Sequence, residues 1–340
     1  MRASLVLTLL ILLSAAEGTQ AQTVTPWPTA ASASEEELDA AAFAGIEDGI
    51  AKNLPDVQSV VVAWRGRVVF TFYRDGAPAT LRETRSAAKS ALSILVGVAL
   101  WQGRIASLDQ PVLALMPEWS GLNPDPRAAN ITVRHLLSMT AGFEVDDPTG
   151  TAPAGRPQEA WARRLRHAPG QAFAYDNALV PMISSVLEKA TGMPLADYAR
   201  QQLVRPLGLA EPAYRAGLQL RTEDMARLGQ LVLQKGVWEG RQIVPEAYVL
   251  AATQVQSRGG PPVSLPYGHL WWVVPSEAPR PTFFASGYAG QFIWVHPPLD
   301  LVMAVTSAVS ADSQQRGQAL RLIRGRLFNA VLARSKAQPR

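Results

Sequence analysis

The 340-residue sequence contains no cysteine, only five lysines and no block of five or more basic residues. Without cysteine the chain cannot form disulfides, use a thiol nucleophile or carry a lipid on a thioether. The net charge of +4 and the scattered arginines give no support to a nucleic-acid partner, although the pI is near 9.5. The four histidines lack the spacing of metal ligands, so we expect no bound metal and no cofactor; they are His135, His167, His269 and His296.

Charged residues are also scarce, at 18%, whereas 48% of the residues are apolar. Such a chain is not disordered, and its length allows either one large domain or two interleaved lobes. The sequence contains neither an internal repeat nor a Gly-x-Ser-x-Gly motif. The absence of that motif disfavours the hydrolase fold that presents its nucleophile on a strand-to-helix elbow.

The N-terminus has the pattern of a secretory signal peptide. Arg2 precedes a short apolar segment from Leu5 to Leu13, and Thr19-Gln20-Ala21 resembles a small-residue cleavage site. The apolar segment is short for a bilayer span, and an uncleaved anchor is the alternative. We predict a signal peptide at residues 1–21, a spacer at 22–33, and a periplasmic or secreted protein without a stable membrane span.

Hydrophobic patterns predict β-strands near both ends of the domain. At the N-terminal end, a Ser34-x-x-Glu37 capping box predicts a helix over residues 34–53, and Arg65-Gly66 is the turn of a predicted hairpin, Val57–Trp64 with Arg67–Tyr73. Near the C-terminus the predicted elements are four strands followed by a helix: His269–Val274, Thr282–Ala285, Gln291–His296, Leu301–Ser307 and residues 311–335.

The segment between these strands is predicted to be mostly helical. Helices are expected after Thr132, Asn177 and Thr222, each acting as an N-cap. We therefore predict an α/β (α+β) fold, an antiparallel sheet flanked by N- and C-terminal helices. Its α/β lobe comprises residues 34–85 and about 221–335, and a helical lobe of about 86–220 is inserted into it.

Ser86 and Lys89 stand at the start of a predicted helix that continues to Trp101 and is apolar almost all round. Such a helix is buried, and residues three apart lie on the same face. A serine hydroxyl beside an amine is a nucleophile beside a base. With 21 serines and five lysines, this spacing arises by chance roughly 0.3 times. The alternative to catalysis is a buried helix start whose lysine extends its amine to solvent. Other motifs have to distinguish the two interpretations.

Two further motifs support a catalytic interpretation. Tyr175-Asp176-Asn177 precedes a predicted helix and could place a phenol and an amide at the edge of a cleft. Ala285-Ser286-Gly287-Tyr288 lies at the end of a predicted strand, where glycine permits close approach of another backbone. A backbone N–H at that place could bind an oxyanion.

Taken in order, these motifs resemble the β-lactamase and penicillin-binding-protein superfamily of active-site serine enzymes. The chain is most similar to the class C-like branch, which includes esterases and 6-aminohexanoate-dimer hydrolases. The resemblance spans about residues 40–335 and also rests on Thr132–Gly142, Arg205–Leu209, Tyr267–Trp272 and Phe284–Gln291.

The resemblance implies a role for each matching residue. Ser86 would be the acylated nucleophile, Lys89 a general base and Tyr175 a partner in proton transfer. Asn177 would orient Lys89 or the substrate, and the backbone N–H groups of Ser86 and Tyr288 would form the oxyanion hole.

One departure from the family pattern bears on the substrate. Where β-lactamases and peptidases commonly have Lys-Thr-Gly, this chain has Ala285-Ser286-Gly287. The missing lysine would supply positive potential for a substrate carboxylate. We therefore predict a small-molecule ester or linear amide substrate. The alternatives are a β-lactamase or D,D-peptidase, and a non-catalytic binding protein of the same fold.

Overall fold

The structure is a computed structural model that describes residues 26–29, 32–147, 153–215, 217–308 and 315–337. The predicted signal peptide lies outside the described residues. Among the helices that are described, none is long and apolar enough to cross a membrane.

The strands are β1 (Val57–Trp64), β2 (Arg67–Tyr73), β3 (Arg82–Glu83), β4 (Gln219–Leu220), β5 (Val237–Trp238), β6 (Arg241–Gln242), β7 (Ser257–Gly260), β8 (Leu265–Tyr267), β9 (Trp272–Val274), β10 (Thr282–Gly287), β11 (Gln291–His296) and β12 (Leu301–Ser307). Within the described residues, β1, β2 and β7–β12 form one eight-stranded sheet in the order β2-β1-β12-β11-β10-β9-β8-β7. Its neighbouring strands are antiparallel, and β1 pairs with β12, so the two ends of the chain meet in one sheet.

The helices are α1 (Ala33–Ala42), α2 (Ile46–Asn53), α3 (Ala88–Trp101), α4 (Val112–Leu115), α5 (Val133–Leu137), α6 (Pro157–Trp161), α7 (Leu179–Thr191), α8 (Leu195–Ala199), α9 (Thr222–Leu233), α10 (Glu246–Ala252), α11 (Gln315–Arg321) and α12 (Phe328–Ala337). A π-helical segment, Arg200–Val204, continues α8, and another, Leu322–Leu327, joins α11 to α12. The predicted C-terminal helix therefore extends to Ala337, and residues 311–314 of that prediction lie outside the described residues.

Helices cover both faces of the sheet. A Cβ added to Gly229 of α9 would lie 2.7 Å from Ile293 and Val302, so the α9 backbone rests directly on those side chains. His296, three residues after Ile293, contacts the ring of Phe328 in α12 edge-on at 5.1 Å. Because strand side chains alternate between faces, α9 and α12 lie on opposite sides of the sheet.

The predicted helix over residues 34–53 is wrong in its continuity and in its cap. It consists of α1 and α2, separated by a turn in which Gly45 has a φ of 72°. Glycine adopts this left-handed conformation without a steric penalty, and the helix breaks there. The N-cap is Ser32 rather than Ser34, and its hydroxyl accepts a hydrogen bond from the Glu35 N–H at 3.3 Å.

Part of the predicted spacer packs against the folded domain. Trp27 is buried and its indole donates to the Gly66 carbonyl at 3.0 Å, while the Val68 N–H donates to the Pro28 carbonyl at 2.8 Å. Residues 26–29 therefore lie against the hairpin turn.

The strand predicted at His269–Val274 is shorter, because Leu270 has a φ of 61° and interrupts the extended backbone. The chain turns at that point, and Tyr267 of β8 pairs with Trp272 of β9. The sequence patterns did not predict β7 and β8, and β10 continues two residues beyond the predicted end, to Gly287.

A buried ion cluster ties the chain ends together. Asp39 of α1 accepts a hydrogen bond from the Arg334 Nε of α12 at 2.7 Å and forms an ion pair with Arg67 of β2. The Arg334 guanidinium lies 5.4 Å from the centre of the Trp64 ring. We call Asp39, Arg67 and Arg334 the Asp39 cluster.

Candidate active site

Ser86 lies in a short 3-10 turn, Arg85–Ala87, immediately before α3. The N–H and hydroxyl of Thr84 both donate to the Leu218 carbonyl, at 3.1 and 2.7 Å, and Arg85 has a φ of 50°. A non-glycine residue in this left-handed region is strained, and such strain is common beside functional groups. These hydrogen bonds anchor the turn and hold Ser86 just before the first residue of α3.

Lys89 joins Ser86 to the motif that contains Asn177. Its amine donates to Ser86 Oγ at 2.7 Å and to Asn177 Oδ1 at 2.9 Å, and the residue is only 7% exposed. The same nitrogen lies 5.0 Å from the centre of the Tyr175 ring. The structure thus brings together four of the predicted residues from segments almost 90 positions apart, at distances suited to proton transfer between Lys89 and Ser86.

Aromatic packing holds Tyr175. The residue is 5% exposed, its ring stacks on Trp272 at a centroid distance of 5.9 Å, and Tyr267 meets it edge-on at 6.4 Å. Burial and the neighbouring Tyr175 raise the pKa of Tyr267 well above its usual value, so Tyr267 remains a neutral phenol. Trp272 therefore supports Tyr175, whereas Trp271 is buried edge-on against Phe283.

The predicted N-cap role of Asn177 is wrong. The side chain that accepts from the backbone before α7 is Asp176, whose Oδ1 bonds the Ala178 N–H at 2.9 Å and which also pairs with Arg163. Asp and Asn side chains can both cap a helix, but here it is Asp176 that accepts the backbone hydrogen bond. Asn177 is directed at Lys89 instead, and Asp176 is a positioning residue that the sequence argument missed.

The end of β10 lies against the Ser86 turn. A Cβ on Gly287 would stand 2.6 Å from the Thr84 carbonyl oxygen and 3.1 Å from Arg85 Cβ, so a larger residue does not fit. Ala285 and Ser286 are buried in the strand, paired with β11. Tyr288 follows directly and lines the same cavity as Ser86.

A cavity of about 1120 Å³ opens on this cluster. The cavity is lined by Ser86, Lys89, Asn177 and Tyr288, the last of which is 42% exposed. The Tyr175 ring contacts the Lys89 amine. Beyond Ser86 the walls are largely apolar and come from α3, α7, α8, α9 and the 209–220 segment. These wall residues were missed, because apolar side chains in helices look the same in sequence whether they face a core or a cavity.

His135 has a structural role in the capping of α5. His135 Nδ1 accepts from the Thr132 N–H at 3.1 Å and completes a capping box at α5, which confirms the predicted Thr132 cap. Among the described residues there is no group of three or more His, Asp or Glu side chains that could hold a metal ion.

Comparisons with known proteins identify the family of the chain. The Beta-lactamase family model matches residues 48–221, slightly more than half of the chain. The 6-aminohexanoate-dimer hydrolase of Paenarthrobacter ureafaciens is 23% identical, with 77% of each chain covered. Esterase EstB of Burkholderia gladioli is 27% identical over 63% of this chain and 54% of that protein.

Among solved structures, the octameric penicillin-binding protein homologue from Pyrococcus abyssi superposes with a TM-score of 0.66 at 19% identity, covering 84% of this chain and 77% of that one. This likeness confirms the predicted fold class, an antiparallel sheet with flanking helices. The chain belongs to the Beta-lactamase family and is a serine hydrolase.

Proposed function

We propose that the protein hydrolyses an ester or a small linear amide through a covalent acyl-enzyme on Ser86, without a cofactor. The observation that carries the proposal is the position of the Lys89 amine, within hydrogen-bond distance of both Ser86 Oγ and Asn177 Oδ1 where the cavity opens. An amine in that position is a base for the serine hydroxyl.

In the acylation step, Lys89 takes the proton of Ser86 as Oγ attacks the substrate carbonyl carbon. The carbonyl oxygen becomes an oxyanion that accepts from the N–H groups of Ser86 and Tyr288. As the intermediate collapses, the bond to the leaving alcohol or amine breaks. That group takes up a proton relayed from Lys89 through the Tyr175 hydroxyl.

Deacylation uses the same groups in reverse. A water molecule loses a proton to the Tyr175–Lys89 pair, attacks the acyl carbon and displaces Ser86 Oγ, which recovers its proton from Lys89. The products are a carboxylic acid and the free alcohol or amine, so one water is consumed per turnover.

The third motif argues against a β-lactam or D-Ala-D-Ala substrate. Ala285 is 2% exposed and carries no charge, so it supplies no positive potential to a substrate carboxylate. The names of two relatives, a 6-aminohexanoate-dimer hydrolase and an esterase, support a linear amide or an ester. The contacts among Ser86, Lys89 and Asn177 favour an enzyme over a non-catalytic binding protein.

Turnover of a panel of substrates by the wild type and Ser86→Ala tests the proposal. The panel contains p-nitrophenyl esters, an aminohexanoate dimer and a chromogenic cephalosporin. We expect Ser86-dependent hydrolysis of an ester or the dimer and little of the cephalosporin. Preferential cephalosporin hydrolysis would favour the β-lactamase alternative, and no Ser86-dependent turnover would contradict the enzyme mechanism.

We also propose that the protein is exported to the periplasm or secreted, on the strength of the N-terminal charge, apolar segment and small-residue site. Cell fractionation together with the intact mass of the mature protein tests this. A cytoplasmic protein that retains residues 1–21 would overturn it.

A further inference from the structure

The cavity has a polar end and an apolar end. Ala91, Leu92 and Leu95 line it from one face of α3. The facing walls include Val180 of α7 and Leu203 of the π-helical segment. Among its described lining residues, the charged side chains are Arg85 and Lys89, which both lie at the Ser86 end. We call the part beyond Ser86 the apolar arm.

The length of the apolar arm follows from the helix that lines it. Ser86 and Leu95 are nine residues apart along the turn and α3, which corresponds to about 13 Å at the rise of an α-helix. A carbon–carbon bond of about 1.5 Å advances an extended chain by somewhat less than its length, so roughly ten carbons reach Leu95. The arm is therefore deep enough for a medium-length alkyl chain.

The position of Tyr175 indicates which part of the substrate enters the arm. Tyr175 packs against Trp272 of β9 and Tyr267 of β8. In the proposed mechanism the leaving group must reach Tyr175 to receive its proton. No residue of β8 or β9 is among the described residues that line the cavity, so we assign the apolar arm to the acyl part of the substrate.

We propose that the apolar arm is an acyl-chain pocket, and that the substrates are esters of medium-chain fatty acids with about eight to ten carbons. This inference rests on the proposed acyl-enzyme chemistry at Ser86. It also separates the two substrate classes left open above. An aminohexanoate chain would carry its terminal charge into a region whose described walls provide no opposite charge, and burying an unpaired charge is unfavourable.

Chain-length dependence of kcat/KM measures the effect. Each methylene transferred from water to an apolar site improves binding by about two- to fourfold when most of the transfer energy is realised. We expect kcat/KM for p-nitrophenyl esters to rise from acetyl to octanoyl by on the order of a hundredfold, then to level off or fall by dodecanoyl.

Ala91→Phe tests the location of the pocket. Ala91 is partly exposed and lines the arm between Ser86 and Leu95, so a phenyl ring there blocks the arm. We expect Ala91→Phe to remove most of the octanoyl advantage, so that the ratio of octanoyl to acetyl kcat/KM falls by on the order of tenfold or more. Ala333→Phe, the same exchange at an exposed position of α12, is the control and should leave the whole profile unchanged.

A binding measurement separates this inference from the proposed function. In Ser86→Ala, calorimetry should find decanoate bound at least about tenfold more tightly than butyrate, and the difference should disappear on adding Ala91→Phe. Equal affinity for the two acids would overturn the acyl-chain pocket. So would an acetyl ester that is the best Ser86-dependent substrate, although the proposed chemistry would then stand. Chain-length-dependent binding without any ester turnover would retain the pocket and contradict the ester chemistry.

Discussion

Two of the buried polar clusters among the described residues, the one around Lys89 and the Asp39 cluster, differ in a way that separates chemistry from structure. Lys89 reaches across 88 positions to Asn177, and Asp39 reaches across 295 positions to Arg334. In both clusters an ionisable side chain is almost fully removed from solvent, Lys89 in one and Asp39 in the other. The Ser86 side opens on a cavity, however, whereas the Asp39 cluster is enclosed by α1, β2 and α12, and Arg334 is only 1% exposed.

The comparison teaches that a buried charge does not by itself identify an active site. Replacing one partner of a sealed ion pair leaves an uncompensated charge and destabilises the fold. Replacing a group that faces a cavity changes the binding or the reaction of a ligand in that cavity. The two clusters should therefore respond oppositely to mutation, with activity lost in one and stability lost in the other.

The largest expected effect is that of Ser86→Ala. Loss of the proposed nucleophile should lower kcat/KM by on the order of 10,000-fold or more, with little change in Tm. Ester hydrolysis and thermal melting measure the two effects. Ser184→Ala is the matched control, because Ser184 lines the same cavity but its hydroxyl bonds to the Val180 carbonyl. Comparable losses in both variants would contradict the assigned nucleophile.

Lys89→Met should have the next largest effect on activity. Methionine keeps the length of the side chain and removes the base, so kcat should fall by on the order of 1,000-fold. Stability should be equal or higher, since a buried amine is replaced by an apolar group. Lys189→Met, at a surface lysine paired with Glu118, should change neither quantity. Full activity in Lys89→Met would exclude Lys89 as the base.

Asp39→Asn should affect stability rather than activity. Removing the carboxylate leaves Arg334 and Arg67 without their common partner, which should cost about 3 to 4 kcal/mol in the free energy of unfolding. Urea denaturation measures this, and kcat/KM should be unchanged. Asp48→Asn removes an exposed carboxylate paired with Lys52 and should cost less than about 0.5 kcal/mol. Equal costs would remove the distinction between sealed and exposed pairs.

His269 is a buried ionisable residue outside the cavity, and it should make the stability of the fold depend on pH. Burial lowers the pKa of His269 to about 4, and neither ring nitrogen has a hydrogen-bond partner among the described residues. The unfolded chain takes up this proton near pH 6.5 and the folded one only near pH 4. The contribution of neutral His269 to the free energy of unfolding is therefore fully present above pH 6.5. It falls by up to about 3 kcal/mol as the pH drops from 6.5 to about 4.

Urea denaturation at pH 7, 5 and 4 checks this dependence. His269→Leu should flatten the loss of stability on acidification. The exposed His167 is the control, and His167→Leu should leave the slope as it is in the wild type. An unchanged slope in His269→Leu would assign the acid sensitivity to other groups.

The smallest expected effect is that of Asn177→Ala. Lys89 loses one acceptor but keeps Ser86 Oγ within reach, so kcat should fall about tenfold. Unfolding stability should change little, because Asp176, whose carboxylate accepts from the Ala178 N–H before α7, is retained. A large loss of stability in Asn177→Ala with normal kcat would reassign the residue to the fold.

Sequence patterns predicted correctly those turns, caps and helix starts that depend on interactions between neighbouring residues. The Arg65-Gly66 turn, the Thr132 cap and the helix that begins beside Ser86 all appear in the structure, since each depends on neighbouring residues. The choice between Asp176 and Asn177 as the cap was missed, because adjacent residues with equal capping ability are separated only by tertiary partners such as Arg163 and Lys89.

Sequence motifs predicted the polar end of the site better than its shape. Ser86, Lys89 and Asn177 have distinctive side chains in recognisable order, and they meet in the structure. The apolar arm is built from aliphatic residues of several separate segments, such as Leu95 and Leu203, which no local pattern distinguishes from core. Its existence depends on how those segments pack.

The pairing of β1 with β12 has a consequence for how the chain folds. Val60 of β1 lies beside Val305 of β12, so a contact within the main sheet closes a loop of nearly the entire domain. Such long-range contacts are slow to form. A growing chain can complete the hairpin and α3 early, but its sheet core waits for the last strand. The proposed nucleophile, Ser86, is therefore synthesised long before the end of β10, which we propose stabilises the oxyanion. Activity should appear only when synthesis is nearly finished.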